Sequence, residues 1–480
     1  MIFRSPIYML LLLTTLLVSC SKKTPGVITL HVYPDSVVND ISNHPIGINL
    51  SYFMDGGRFP NPERTVTEAL REMGVRYLRY PGGEKSDLYM FSAPPYKKSN
   101  PTVTRTIAIE DYPGMFTPDG ELVYDPLDFD EFMELCHSLH AEPIIVVAAD
   151  RYLLPEVEGK RSAKREALIE HAAEWVRYAN ITKKYGVRYW MIGNESWNKN
   201  NINSNADIYA QDVIAFSKAM KAVDSSILII PNGESDEFFK AVITQAGDYI
   251  DRLCVSNYGV FDFHEGYQTY SDSTKCLIWP AQTALNAMNK YATQEQLDRW
   301  KMIVAEYGTI DWFGLWKGTN DMGHAIVSFD MTGQLLMEPQ IEFSCFWNTR
   351  WIENENRPLT DHDALDMNGN INPTGVSLKI WGNYLGKQMV KSESDGSIIT
   401  YSSIDKEQQL LYVYVINKKE TPCSLRLEIE SNKTTLLARG WEYFGNLPDD
   451  VNPVWQSKTV NGEYVDLKGY SITVLEYKLK

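Results

Sequence analysis

Two glutamates in this 480-residue chain stand where chemistry would need them. The run "YWMIGNESW" (from Tyr189) ends an apolar stretch in an amide, a carboxylate and an aromatic ring. The run "VAEYG" (from Val304) ends another apolar stretch in Glu306. Cleaving an acetal with retention of configuration needs two carboxyl groups about 5–5.5 Å apart, one as nucleophile and one as acid and then base. An amide next to the acid can hold the sugar's 2-hydroxyl, a contact that strengthens as positive charge develops at the anomeric carbon. Asn194-Glu195 with Glu306 has this form.

Such a pair works only if the fold brings the two carboxyls together. Eight short apolar runs supply the elements: "PIGINLSYF" (from Pro45), "VRYLRYPGG" (from Val75), "EPIIVVAAD" (from Glu142), "VRYWMIGNE" (from Val187), "SILIIPNGE" (from Ser226), "IDRLCVSNY" (from Ile250), "KMIVAEYG" (from Lys301) and "IEFSCFWNTRW" (from Ile341). Near-continuous apolar runs are what strands buried on both faces of a parallel sheet show. Helical patterns lie between them: "NPERTVTEALREMG" closes on Gly74, and "ALIEHAAEWVRYANITKKYG" closes on Gly186, both with glycine as a stop signal. Eight strand–helix units predict a (β/α)8 barrel over residues 45–374. No G-x-G-x-x-G follows the first run, which removes a dinucleotide-binding sheet. From residue 375 to 480 the texture changes to short alternating strands, which predicts an antiparallel β-sandwich. The strand "VITLHVYP" (from Val27), within residues 20–44, is expected to complete that sandwich.

A barrel's active site lies at the C-terminal ends of its strands, so the residues ending the eight runs are the candidates. Besides the glutamate pair these include Asn49 on the first run, Arg79 and Glu84 on the second, and Asp150 on the third. Asn232 and Glu234 end the fifth, Asn257 and Tyr258 the sixth, and Trp347 the eighth. Asn49, Arg79, Glu84, Asn194, Glu234, Asn257, Tyr258 and Trp347 are read as substrate contacts, although Arg79 and Glu84 could equally form a structural ion pair. Asn232-Gly233-Glu234 imitates the Asn-Glu step, but its glycine breaks the direct adjacency. Trp312, Trp316 and Trp351 are further flat surfaces on which a sugar face could stack, each equally at home in a core.

"LRYPGG" on the second run, "GNESW" on the fourth and "AEYG" on the seventh together resemble the clan of retaining (β/α)8 glycosidases. Within it the sequence is most similar to α-L-arabinofuranosidases and their heparanase-like relatives. The resemblance implies Glu195 as acid/base, Glu306 as nucleophile, Asn194 on the 2-hydroxyl and Tyr258 as a hydrogen-bond donor to the nucleophile. It also implies an accessory β-sandwich. The chain departs from that pattern at Val255-Ser256-Asn257-Tyr258, where relatives carry a histidine near the tyrosine. It departs again at Gly83-Glu84-Lys85-Ser86-Asp87, which carries charges of both signs.

The N-terminus belongs to no domain. Arg4 precedes the apolar run Ile7 to Val18, too short to remain as a spanning helix, and Leu17-Val18-Ser19-Cys20 resembles a bacterial lipoprotein cleavage site. Residues 1–19 are therefore read as a signal peptide and Cys20 as the lipidated first residue of an exported, membrane-anchored protein, facing the periplasm or the cell surface. The other five cysteines are irregularly spaced and contain no CxxC pair, which favours buried thiols and no metal site. "CHSLH" (from Cys136) reads as one face of an amphipathic helix. With 62 acidic against 46 basic side chains and a net charge of -16, the chain has no basic stripe for nucleic acid.

These observations predict a retaining glycoside hydrolase of α-L-arabinofuranosidase type, acting on plant or algal polysaccharide or oligosaccharide without a cofactor. Within enzymes the alternatives are a β-glucuronidase, a β-xylosidase or an endo-acting agarase-like specificity. The alternative outside enzymes is a non-catalytic glycan-binding lipoprotein.

Overall fold

The computed structural model describes residues 27–52, 54–56, 64–89, 91, 127–150, 161–198, 205–259, 266–271, 275–310, 316, 320–350, 363–396, 398–460 and 462–480. The signal-peptide run, Cys20, Trp312 and Trp351 lie outside them. After a first strand, β1 (Ile28–Asp40), the eight apolar runs become eight strands: β2 (Ile46–Asn49), β3 (Tyr77–Tyr80), β4 (Glu142–Val147), β5 (Tyr189–Ile192), β6 (Leu228–Pro231), β7 (Leu253–Asn257), β8 (Met302–Tyr307) and β9 (Ile341–Phe346). They pair in parallel in the order β6-β5-β4-β3-β2-β9-β8-β7. A bridge from Asn232 to Cys254 joins the two ends of that order, so the sheet closes into a barrel.

Helices α1 (Val66–Met73), α2 (Phe129–Leu139), α3 (Arg161–Val176), α4 (Ala206–Val223), α5 (Asp236–Ala246), α6 (Trp279–Tyr291), α7 (Gln294–Arg299), α8 (Met322–Leu336) and α9 (Pro373–Asn383) follow the strands. Their ends obey local rules. Thr65 and Asp128 each form a capping box, with Glu68 and Glu131 respectively, satisfying first-turn N–H groups that have no partner inside the helix. Gly74 ends α1 at φ 70, where a Cβ would lie 2.5 Å from the Gly382 carbonyl oxygen; only glycine fits both conditions.

Strand alternation divides the barrel's side chains into two layers. Tyr77, Ile144, Val146, Tyr189, Met191, Ile230, Cys254, Ile303, Phe343 and Cys345 fill the interior. The alternate residues, Trp190 and Ile192 among them, pack outward with the helices in a separate core. Cys136, Cys254 and Cys345 are buried free thiols as expected, Cys423 is half-buried and Cys276 is exposed.

The C-terminal region forms one nine-stranded sheet from β1 and eight later strands: β10 (Gln388–Ser392), β11 (Ile398–Asp405), β12 (Leu410–Asn417), β13 (Cys423–Ile429), β14 (Thr435–Phe444), β15 (Val454–Ser457), β16 (Val465–Leu467) and β17 (Ser471–Leu479). Its order is β15-β14-β17-β12-β11-β10-β1-β13-β16. The sheet curls over a core that joins Leu30 and Val32 of β1 to Leu425, Val413, Val465 and Leu475. The N-terminal strand therefore completes the sandwich, running antiparallel to β10 but parallel to β13, so the expected all-antiparallel pairing has one parallel exception. Helix α8 seats the sheet on the barrel. Asp330 accepts from Tyr401 at 2.6 Å and from Lys418 at 2.6 Å, and Asp330 and Lys418 are both fully buried. Among the described residues, no helix is long and apolar enough to cross a membrane.

Candidate active site

Arg79 organises the mouth of the barrel. It is the third of the four residues of β3, it is buried, and its guanidinium reaches side chains on β2, on β8 and on the turn after β5. Its Nη1 donates to Glu306 Oε1 at 2.9 Å and to Asn49 Oδ1 at 2.7 Å, and its Nη2 donates to Asn194 Oδ1 at 2.6 Å. Asn49 is fully buried and is itself fixed by donating to the carbonyls of Ala305, Cys345 and Phe346. One planar fork thus ties the amide ahead of Glu195 to the carboxylate of Glu306, which suits arginine rather than a point-charge lysine.

Glu306 lies inside β8 and is 4% exposed. Tyr258, just beyond β7, donates its hydroxyl to Oε2 at 2.6 Å. With Arg79 on one oxygen and Tyr258 on the other, the charged form of this carboxyl is satisfied by charge and by hydrogen bonding at once. Trp347 packs against Tyr258 and Ile310. Its ring lies where a Cβ on Gly83 would sit only 2.2 Å away, and Gly83 has φ 32, so glycine at that position makes the room.

Glu195 is held differently. It sits half-buried on a turn just beyond β5, with φ 47, while Gly193 two residues before has φ 69. Left-handed backbone costs a non-glycine residue on the order of 1–2 kcal/mol. A Cβ on Gly193 would also meet Asp150 Oδ2 at 2.4 Å. Burial, and after it the negative charge of Glu306, push the Glu195 carboxyl up to about 8, against the opposing effects of a hydrogen bond to Ser256 and the charge of Arg79. A neighbouring carboxylate disfavours a second charge, so Glu195 stays protonated at neutral pH beside an Arg79-paired Glu306.

The structure therefore brings Glu195, Glu306, Asn194, Arg79 and Tyr258 together and places other candidates elsewhere. Arg79 pairs with Glu306, not with Glu84, which is exposed and ion-paired to Lys85. Asn49 is a support beneath Arg79. Asn257 is fully buried, with Nδ2 donating to the Leu277 carbonyl at 3.1 Å and Oδ1 accepting from Ala281 N at 3.2 Å. It anchors the start of α6, and both ends of its amide are engaged there. Glu234 is exposed, and among the described residues it makes no hydrogen bond to the glutamate pair. Trp316 stacks on His324 with ring centroids 3.7 Å apart and belongs to the packing. Trp190 faces the helix layer, edge-on to Trp175, so it is not the source of the shift at Glu195.

Sequence reasoning missed Ser256 and the contacts around Asn232. Ser256 lies opposite Glu306 in the β7–β8 register and bonds to Glu195. It occupies the segment where the expected histidine is missing. Asn232 ends β6 and bonds to the turn that carries Glu195. Its signal was present, since an asparagine ends the fifth run, but that position does not reveal which backbone it holds. Among the described residues, those that could together hold a metal ion are His31, Glu428 and Glu430. They lie on β1 and at the end of β13, in the accessory sheet.

Comparison with known proteins finds relatives of the same fold. The family described as "Alpha-L-arabinofuranosidase 1 domain" matches residues 69–275, a span that holds Arg79, Asn194, Glu195 and Tyr258 but ends before Glu306. The probable α-L-arabinofuranosidase C of Aspergillus niger is 26% identical over 187 residues, 36% of this chain and 32% of that protein. The α-L-arabinofuranosidase C of Emericella nidulans is also 26% identical over 187 residues. The chain thus spans about a third (32%) of the length of the curated relatives it matches. The α-L-arabinofuranosidase of Thermotoga maritima, solved with arabinose, superposes with a TM-score of 0.70 at 19% identity, covering 94% of this chain and 100% of that one. A family 44 xyloglucanase from Paenibacillus polymyxa superposes at 0.59 with 13% identity, covering 95% and 100%. The chain is a (β/α)8 protein related to the α-L-arabinofuranosidases, with an accessory β-sandwich.

Proposed function

We propose that this protein is a retaining glycoside hydrolase of α-L-arabinofuranosidase type that acts on plant or algal polysaccharide or its oligosaccharides. The observation that carries the reading is the unequal treatment of two neighbouring carboxyls. Arg79 donates to one oxygen of Glu306 and Tyr258 to the other, while burial and the neighbouring Glu306 carboxylate raise the Glu195 carboxyl to about 8.

In the first step Glu306 attacks the anomeric carbon and the bond to the leaving oxygen breaks, with the Glu195 proton passing to that oxygen. In the second step Glu195, now a carboxylate, takes a proton from water. The water oxygen displaces Glu306 from the anomeric carbon, and the sugar leaves with its configuration retained. The Asn194 amide oxygen is committed to Arg79, so its Nδ2 end is the one that binds the 2-hydroxyl. The arabinofuranosyl assignment is supported by the relatives' names, over a matched span that includes Glu195. Residues 45–374 would form the catalytic unit, with 20–44 and 375–480 as the accessory domain. Export and a lipid anchor at Cys20 belong to the same proposal and rest on the sequence alone. Labelling with a radioactive fatty acid, abolished by Cys20→Ser, would support the anchor.

The test is a panel of aryl α-L-arabinofuranosides, β-D-xylosides, β-D-glucuronides and polysaccharides, with products separated by chromatography. Release of arabinose by the wild type, and its loss in both Glu195→Gln and Glu306→Gln, supports the reading. Binding without cleavage across the panel sinks it.

A further inference from the structure

The turn carrying Glu195 is clamped by one side chain that plays no part in the mechanism above. Asn232 is 4% exposed at the end of β6. Its Oδ1 accepts from the Ser196 backbone N at 2.8 Å. Its Nδ2 lies within donating distance of the Ile192 carbonyl (3.1 Å), the Gly193 carbonyl (3.3 Å), Ser196 Oγ (3.1 Å) and Tyr209 Oη (2.9 Å). One amide therefore grips the chain on both sides of Glu195. The clamp has its own supports. Tyr209 donates to the Ile192 carbonyl at 2.6 Å and accepts from the Asn232 backbone N at 3.0 Å. Ser196 donates to Asp150 Oδ2 at 2.8 Å, which ties the turn to β4 on its other side. A strained residue persists only where its surroundings over-determine it, and this network supplies that over-determination for the φ 47 of Glu195.

We propose that Asn232 is the positioning residue for acid catalysis: it holds Glu195 in its left-handed turn, aimed at the leaving-group oxygen, and contributes little to the nucleophilic half of the reaction. The inference rests on the glycosidase reading above. The distinction follows from the contacts: Glu306 is fixed by Arg79, Tyr258 and its own strand, none of which touches Asn232, and Asn194, the residue of the turn that Arg79 holds, has that 2.6 Å bond independently of the clamp. Losing the clamp lets the turn relax towards ordinary backbone angles and carries the Glu195 carboxyl away from the leaving oxygen. Arg79 keeps its grip on Glu306 throughout.

The experiment compares kcat/KM for Asn232→Ala and wild type on two substrates with the same sugar. One has an alcohol or sugar leaving group that must be protonated; the other has a dinitrophenolate that leaves without a proton. General acid catalysis is worth roughly 10²–10⁴-fold, so a misplaced acid should cost between about tenfold and a thousandfold on the first substrate and under about threefold on the second. The alkaline limb of the pH profile should move to lower pH as the displaced carboxyl becomes better solvated. Adding Asn232→Ala to Glu195→Ala should cost nothing further on the dinitrophenyl substrate, since residues acting as one unit are not additive. If Asn232→Ala does not fold, Tyr209→Phe removes only the hydroxyl that accepts from both Asn232 nitrogens and should show the same selectivity more weakly. Equal losses on both substrates, or no loss on either, overturn the inference while the wild type remains an active glycosidase. A wild type that cleaves no glycoside is instead a failure of the underlying functional reading.

Discussion

Glu306 and Glu195 face one another from the ends of β8 and β5, yet the protein fixes them by different means. Glu306 belongs to a regular strand, and its side chain is defined by two donors, a guanidinium and a phenol. Glu195 lies beyond its strand on a left-handed turn, and its backbone is defined by neighbours that do not touch its carboxyl. The difference matches the two tasks. A nucleophile must be charged and aligned with the anomeric carbon, so direct ionic and hydrogen-bond contacts serve it. An acid must keep its proton, and of the effects on Glu195 burial outweighs the hydrogen bond from Ser256, while the turn beneath it is fixed through its backbone.

Removing either carboxyl should expose this division. Glu306→Gln deletes the proposed nucleophile and should cut kcat/KM by on the order of ten-thousandfold or more on every substrate, whatever its leaving group. Glu195→Gln should cost about 10²–10⁴-fold on substrates that need protonation and far less on dinitrophenyl glycosides. The wild-type profile should fall as pH rises through about 8, because the form active in the first step is protonated Glu195; the glutamine variant should lose that limb. Equal losses on both kinds of substrate would erase the contrast between the two sites.

Smaller changes test the supports. Arg79→Met leaves a buried Glu306 carboxylate without its cation, and breaking a buried pair costs about 3–5 kcal/mol. Urea unfolding should show that loss alongside a large fall in activity, since Asn194 is released as well. Tyr258→Phe removes one hydrogen bond to a charged group, worth about 1.5–3 kcal/mol. It should slow the first step by roughly ten- to a hundredfold while leaving the leaving-group dependence close to wild type. A steepened dependence in Tyr258→Phe would mean that the tyrosine serves the acid instead.

The barrel was legible because parallel strands buried on both faces leave continuous apolar runs, and each of the eight runs became a strand. In the accessory sheet the longer strands were equally plain, while β10, β15 and β16, at five, four and three residues, are too short for alternation to register. The sequence marks where a strand ends but not which way its last side chain points. That is why Asn49 and Asn257 looked like substrate contacts when both support backbone. Asn232 was visible as the asparagine ending the fifth run, but its role was not. The clamp depends on a turn from β5 folding across the end of β6, a tertiary placement that no local pattern encodes.

The central claim is that Glu306 attacks and Glu195 does not. An α-L-arabinofuranoside with fluorine at C2 and a dinitrophenolate leaving group should form the glycosyl-enzyme quickly and hydrolyse slowly. Peptide mapping by mass spectrometry then locates the bound sugar. A single label is expected on the peptide containing Glu306, formed also by Glu195→Gln. A label on Glu195, or on any other residue, would contradict it.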